Sequence, residues 1–304
     1  MLAYYCYRRI FYAAPKKKNG PIKMPSGEQY EVNRDKMLSL IDEMRAIPFE
    51  TVYITSFDGL NLAGRYYHVK DGAPVHIQFH GYKGWAYRDF CGGNKLARER
   101  GCNTLVVDQR AHGMSGGNTI SMGINERFDC LSWINYICER FGRDVKIVIS
   151  GVSMGATTVL MAAGLGLPEN VIGIIADCPY SSPKEIIMKV CSDMKLPARL
   201  MYPFVRLGAK LYGHFDLEVA DAAEAVCHAK VPILLIHGED DRFVPCSMSQ
   251  KIFERFKEAN PDGNMLLETF PGAGHGISFM EDEVRYGRII DKAIALMEER
   301  SRHD

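Results

Sequence analysis

Residues 145–149 form a β-branched run that gives way to Ser150-Gly151-Val152-Ser153-Met154-Gly155-Ala156, and this succession constrains the chain more than any other stretch. The run reads as a buried strand, and the small residues that follow (Ala156, Ala162, Ala163) read as a helix. Between them, Gly-x-Ser-x-Gly turns the chain sharply with Ser153 at the apex. A residue in that position is held in a strained backbone conformation, so the positions two residues away on either side must not clash. Gly151 and Gly155 meet that need. The turn lifts the hydroxyl above the sheet edge and aims the next helix N-terminus at whatever Ser153 attacks. Gly-x-Ser-x-Gly alone occurs often by chance. With a strand before it and a helix after it, Ser153 becomes a candidate nucleophile.

The rest of the chain alternates. Strands are expected at 50–55 and 62–67, joined through a hairpin turn at Phe57-Asp58-Gly59, then at 74–79, 103–107, 145–149, 171–176, 231–236 and 264–270. Helical spacing of apolar residues marks 33–47, 126–141, 247–257 and 284–298. A hairpin followed by alternating β and α implies a mostly parallel sheet with helices on both faces, and ligands at the carboxyl ends of its strands. The interval after 176 breaks the rhythm. More than fifty residues precede the next strand, with helix-like stretches at 183–194 and 197–212, and this insertion (about 181–228) reads as a small cap over the strand ends.

The 304 residues suffice for one large α/β domain or two small ones, and 37 basic residues balance 37 acidic ones. No overall field therefore favours nucleic acid. No apolar run reaches the length of a membrane span, and the start of the chain is too polar for a signal peptide. Nine scattered cysteines without a Cys-x-x-Cys pair give no zinc or thioredoxin-like signature and suit a reducing compartment. Residues 1–48 read as an N-terminal helical, basic-aromatic segment ahead of a catalytic domain at 49–304. Within that segment, residues 1–18 combine tyrosines, Phe11, Arg8-Arg9 and Lys16-Lys17-Lys18. They fit either a short surface helix or contact with a membrane interface.

A serine nucleophile needs a base within reach and an acid to orient that base. His275, between Gly274 and Gly276 after the last strand, is the favoured base; His237, ending a strand, reads as structural. Loop position favours Asp241 as the acid, with Asp240 and Asp177 as rivals. Oxyanion donors are expected from the backbone N–H groups of Met154 and of Tyr82, in His80-Gly81-Tyr82-Lys83-Gly84. Arg110 and His112 read as loop scaffolding. Tyr82, Trp85, Tyr180, Met201 and Phe204 are expected to shape an apolar substrate pocket.

From about residue 50 to 300 the chain resembles the α/β-hydrolases of the serine esterase and serine-peptidase-like type. The resemblance is carried by His80-Gly81-Tyr82, Asp108-x-Arg110-x-His112-Gly113-x-Ser115, Gly151-Val152-Ser153-Met154-Gly155, His237-Gly238-x-x-Asp241-x-x-Val244-Pro245 and Gly274-His275-Gly276. It implies an eight-stranded sheet, the triad Ser153, Asp241 and His275, no cofactor, and a cap between strands six and seven. It also supports Asp241 over Asp177. Similar bacterial proteins often begin with a membrane-anchoring helix ahead of such a basic-aromatic segment. The unpaired cysteines favour a cytoplasmic location as the expectation, and membrane association through the N-terminal segment is the alternative. The expected activity is hydrolysis of a small-molecule carboxylic ester of small or medium acyl chain. An aminopeptidase-like amidase or an acyltransferase is the alternative, and a non-catalytic binding protein the remoter one.

Overall fold

A computed structural model describes residues 1–14, 24 and 27–301; the expected lysine run at 16–18 lies outside them. The chain opens with α1 (Leu2–Ile10), α2 (Glu28–Glu31) and α3 (Arg34–Ala46), then forms the hairpin β1 (Glu50–Thr55) and β2 (Asn61–Tyr67). Alternation follows as expected: β3 (Val75–Phe79), α4 (Ala86–Glu99), β4 (Asn103–Asp108), α5 (Glu126–Phe141), β5 (Ile147–Val152), α6 (Met154–Ala163) and β6 (Val171–Asp177). The long interval holds α7 (Pro183–Asp193), α8 (Ala198–Gly208), a π-helical turn at Ala209–Gly213 and α9 (Ala222–Ala225). Then come β7 (Ile233–Gly238), α10 (Ser247–Ala259), β8 (Met265–Phe270), α11 (Ser278–Glu281) and α12 (Glu283–Arg300).

The eight strands form one sheet in the order β1-β2-β4-β3-β5-β6-β7-β8. The pairs β1/β2 and β2/β4 are antiparallel and the others parallel. This is the α/β-hydrolase fold. Burial on both faces explains the continuous apolar runs of the central strands. Ile147 and Ile149 of β5 join the core under α5 and α6, while Val148 between them joins the one under α3, α4 and α12. Two strands run further than the sequence suggests. β5 continues through Gly151 and Val152, which pair with Ala176 and Asp177, and β7 continues through His237 and Gly238, which pair with Thr269 and Phe270. Glycine and serine read as turn residues, yet here the parallel ladder carries them to the sheet's rim.

The N-terminal segment shares the body's two cores rather than building one of its own. Phe11 is fully buried, and Cys6 and Tyr7 lie with it in the α5/α6-side core, while Met37, Leu40, Ile41 and Met44 of α3 pack into the other. Burying a side chain such as Phe11 contributes roughly 1.5–3 kcal/mol, enough to tie this segment to the sheet. Among the described residues no helix is long and apolar enough to cross a membrane.

Candidate active site

The elbow after β5 has the conformation expected of it. Ser153 adopts φ 57° and ψ −118°, a region that costs a non-glycine residue energy. The close approach explains both glycines: a Cβ on Gly151 would lie 2.1 Å from the carbonyl carbon of Gly155, and one on Gly155 would lie 1.8 Å from the Phe79 oxygen. The Ser153 N–H donates to the Asp177 carbonyl at 2.8 Å, which pins the elbow to the end of β6.

Three side chains from three loops meet at this rim. The Ser153 hydroxyl lies 2.9 Å from His275 Nε2, and His275 Nδ1 lies 2.6 Å from Asp241 Oδ2. With Nδ1–H donating to the carboxylate, Nε2 is left to accept from the hydroxyl. Asp241 is itself fixed: its Oδ1 accepts the N–H groups of Phe243 at 2.9 Å and Val244 at 2.8 Å. Burial alone would push this carboxyl up. Hydrogen bonds from His237 and His275 outweigh it and hold Asp241 below the usual carboxylate range. His237 is wholly buried, donates from Nε2 to the Val244 carbonyl at 2.8 Å and accepts at Nδ1 from Ser249 at 2.7 Å. It braces the loop that carries the acid.

The two rival acids are elsewhere. Asp240 is exposed. Asp177 is buried and accepts from the Tyr286 hydroxyl at 3.0 Å, and burial, opposed by that bond, pushes its carboxyl up to about 6. Its side chain lines a separate cavity of about 270 Å³ beneath α4 and α12, which Ser153 does not reach.

The loop after β3 lies against the serine, since a Cβ on Gly81 would sit 3.4 Å from the Ser153 Cβ. Its backbone is held at several points. The Gly81 N–H donates to Asp89 Oδ2 at 2.9 Å, the Lys83 N–H to His112 Nε2 at 3.0 Å, and the Gly84 N–H to the Gly81 carbonyl at 2.9 Å. Tyr82 sits between these anchors, and Met154 is the first residue of α6, whose N–H has no acceptor within its own helix. Arg110 is bonded to Asp129 at 2.6 and 2.7 Å and to Asp58 of the hairpin turn at 2.9 Å, a scaffold as expected.

Two compartments open on Ser153. The larger, a cavity of about 520 Å³, is walled by α1, α7 and α8 and includes Tyr82, Met122, Tyr180, Ile187, Met201 and Val205. Two expected pocket residues are missing from it. Phe204 stands on the outer side of α8 with Val205 in its place, and Trp85 lies half-buried ahead of α4 and reaches neither compartment. The smaller compartment, about 340 Å³, is more polar and includes Gln29, Tyr30, Arg88, Asp89 and His275. Tyr30 donates to the His275 carbonyl at 2.9 Å, and the Phe243 ring meets the His275 ring edge-on at 5.1 Å. Asp89, Tyr30 and the α1 wall carry no sequence motif. An acid eight residues beyond Gly81 is the one signal that could have pointed to Asp89.

Comparisons with known proteins bear on the family and the fold. The model of the prolyl oligopeptidase family matches residues 94–292. The chain is similar to the uncharacterized protein YqkD of Bacillus subtilis, 27% identical over 198 residues that cover 65% of this chain and 63% of that one. Thus it spans less than two thirds of that relative's length. It is also similar to the bifunctional esterase/perhydrolase DCH of Acinetobacter calcoaceticus, 26% identical over 76% of this chain and 95% of that one. Among solved structures, an esterase of Pyrococcus furiosus superposes with a TM-score of 0.66 at 21% identity, covering 93% of this chain and 98% of the other. That likeness is one of fold.

Proposed function

The chain belongs to the prolyl oligopeptidase family, and from that premise we propose that it is a serine hydrolase cleaving carboxylic esters of small or medium acyl chain. The observation that carries this reading is an apolar-walled cavity ending on a serine hydroxyl 2.9 Å from an imidazole that is itself bonded to a buried carboxylate. His275 takes the Ser153 proton as the oxygen attacks the ester carbonyl, and Asp241 stabilises the imidazolium. The N–H groups of Tyr82 and Met154 hold the oxyanion. His275 then protonates the departing alcohol and leaves an acyl-enzyme. Water, deprotonated by the same imidazole, releases the acid and restores Ser153. The chemistry needs no cofactor.

Ester cleavage is favoured over removal of an N-terminal amino acid by the state of the polar compartment. Recognition of a substrate ammonium needs an available carboxylate. The Asp89 carboxylate is already occupied by the Gly81 N–H at 2.9 Å and the Arg88 guanidinium at 2.6 Å. The test is a series of p-nitrophenyl esters of increasing chain length beside aminoacyl anilides, with wild type and Ser153→Ala. Ester hydrolysis that depends on Ser153 is expected. Activity confined to anilides, or retained in Ser153→Ala, overturns the reading.

A further inference from the structure

The cavity above Ser153 is walled by α1 and α8, and the outer faces of those helices are apolar too. Tyr202 and Val205 of α8 are buried, whereas Leu200, Phe204, Leu207 and Leu211 stand exposed, Leu200 at 69%. Steps of four, three and four residues make one stripe along a helix. Tyr4 of α1 extends that surface, its ring 5.1 Å from that of Tyr212. Tyr5, Met194 and Leu196 are exposed and also line the cavity, so the outer patch and the cavity mouth are continuous. A continuous exposed apolar surface of this kind marks a site of interaction.

Charge indicates what covers it. The whole chain is balanced, yet residues 1–14 and 194–215 contain Arg8, Arg9, Lys195, Arg199, Arg206 and Lys210 and no aspartate or glutamate. Arg206 and Lys210 are engaged by Asp216 and Glu218, while Arg8, Arg9, Lys195 and Arg199 stand at the exposed surface. Aliphatic residues flanked by tyrosines and cations match the layered chemistry of an anionic lipid surface. A second copy of this chain would instead bring cations against cations.

We infer that α1 and α8 dock on an anionic phospholipid surface, and that the hydrocarbon chain of the substrate ester passes from that surface into the cavity ending on Ser153. The second half rests on the serine-hydrolase reading; the docking does not.

Sedimentation of the full chain with vesicles of phosphatidylcholine, with and without phosphatidylglycerol, tests the docking. Wild type is expected to pellet with the anionic vesicles and to be released as salt is raised. The double variant Leu200→Glu/Leu211→Glu is expected to bind at least tenfold more weakly while keeping its circular dichroism spectrum and its hydrolysis of p-nitrophenyl acetate. Wild type that stays in the supernatant with anionic vesicles overturns the docking. So does a lipid-free dimer that the variant converts to monomer, since a second copy would then cover the patch. Vesicle binding without hydrolysis of any ester leaves docking intact and overturns the hydrolase reading and the ester transfer resting on it.

Discussion

Asp89 and Gly81 are joined by a 2.9 Å hydrogen bond from the glycine N–H to the aspartate carboxylate, so the first turn of α4 fixes the loop that faces Ser153. A Cβ on Gly84 would lie 2.2 Å from the same Asp89 Oδ2, which shows how closely the loop wraps the carboxylate. Oxyanion stabilisation depends on where a donor sits, and misplacing one forfeits much of its effect. Asp89 is therefore a positioning residue. Asp89→Ala is expected to lower kcat roughly tenfold to a hundredfold with KM little changed. Asp89→Asn, whose amide oxygen still accepts from Gly81, should recover most of the loss. Steady-state kinetics of both variants check this, and a loss seen mainly in KM would speak against it.

The two buried aspartates at the rim respond to pH in opposite senses. An unfolded aspartate titrates near 3.9. The Asp177 carboxyl, pushed up to about 6 by burial, contributes stability that is complete below about pH 4 and lost as pH rises through 6. Asp241 is held below the ordinary range by His237 and His275, so its contribution is present above about pH 4 and lost as pH falls toward its folded value. Asp177→Asn is accordingly expected to gain about 3 kcal/mol over wild type at pH 8 and little at pH 4, with ester hydrolysis retained. Asp241→Asn is expected to lose on the order of 10⁴ in kcat. Urea denaturation at the two pH values and kinetics at pH 8 check both variants.

Gly208 of α8 lies against α1, and a Cβ there would sit 2.4 Å from the Ala3 carbonyl oxygen. Backbone cannot yield as a side chain can, so Gly208→Leu should displace α1 and open the wall of the larger cavity. Hydrolysis of medium-chain esters is expected to fall about tenfold in kcat/KM, as for lost apolar contacts in a pocket, with acetate little affected. An ester chain-length series with the variant checks this. An equal loss at every chain length would place the damage at the serine instead.

The parts of this site that rest on local geometry were legible in the sequence. Gly151 and Gly155 mark the elbow because a close backbone approach leaves no room for a Cβ, while Gly276 beside His275 has φ 68°, a conformation that favours glycine. The central strands were legible through their β-branched runs, although the ladder carries β5 and β7 past the residues that read as turns. Contacts made by tertiary packing left little trace. Asp89 lies in the first turn of α4, where an acid favours the dipole in any case, so nothing about it marks a role in the site. The first fourteen residues reach the cavity through the packing of α1 on α8 and the Tyr82 hydroxyl, which donates to the Ile10 carbonyl at 2.6 Å. Along α8 the sequence is apolar on both faces, so spacing alone could not tell that Val205 faces the cavity and Phe204 faces solvent.

The most direct measurement of a Ser153 nucleophile is mass spectrometry of the chain after reaction with a fluorophosphonate probe. The expected result is a single adduct on the peptide carrying Ser153, absent from Ser153→Ala and much slower to form in His275→Ala. An adduct on another residue, or equal labelling of Ser153→Ala, would contradict it.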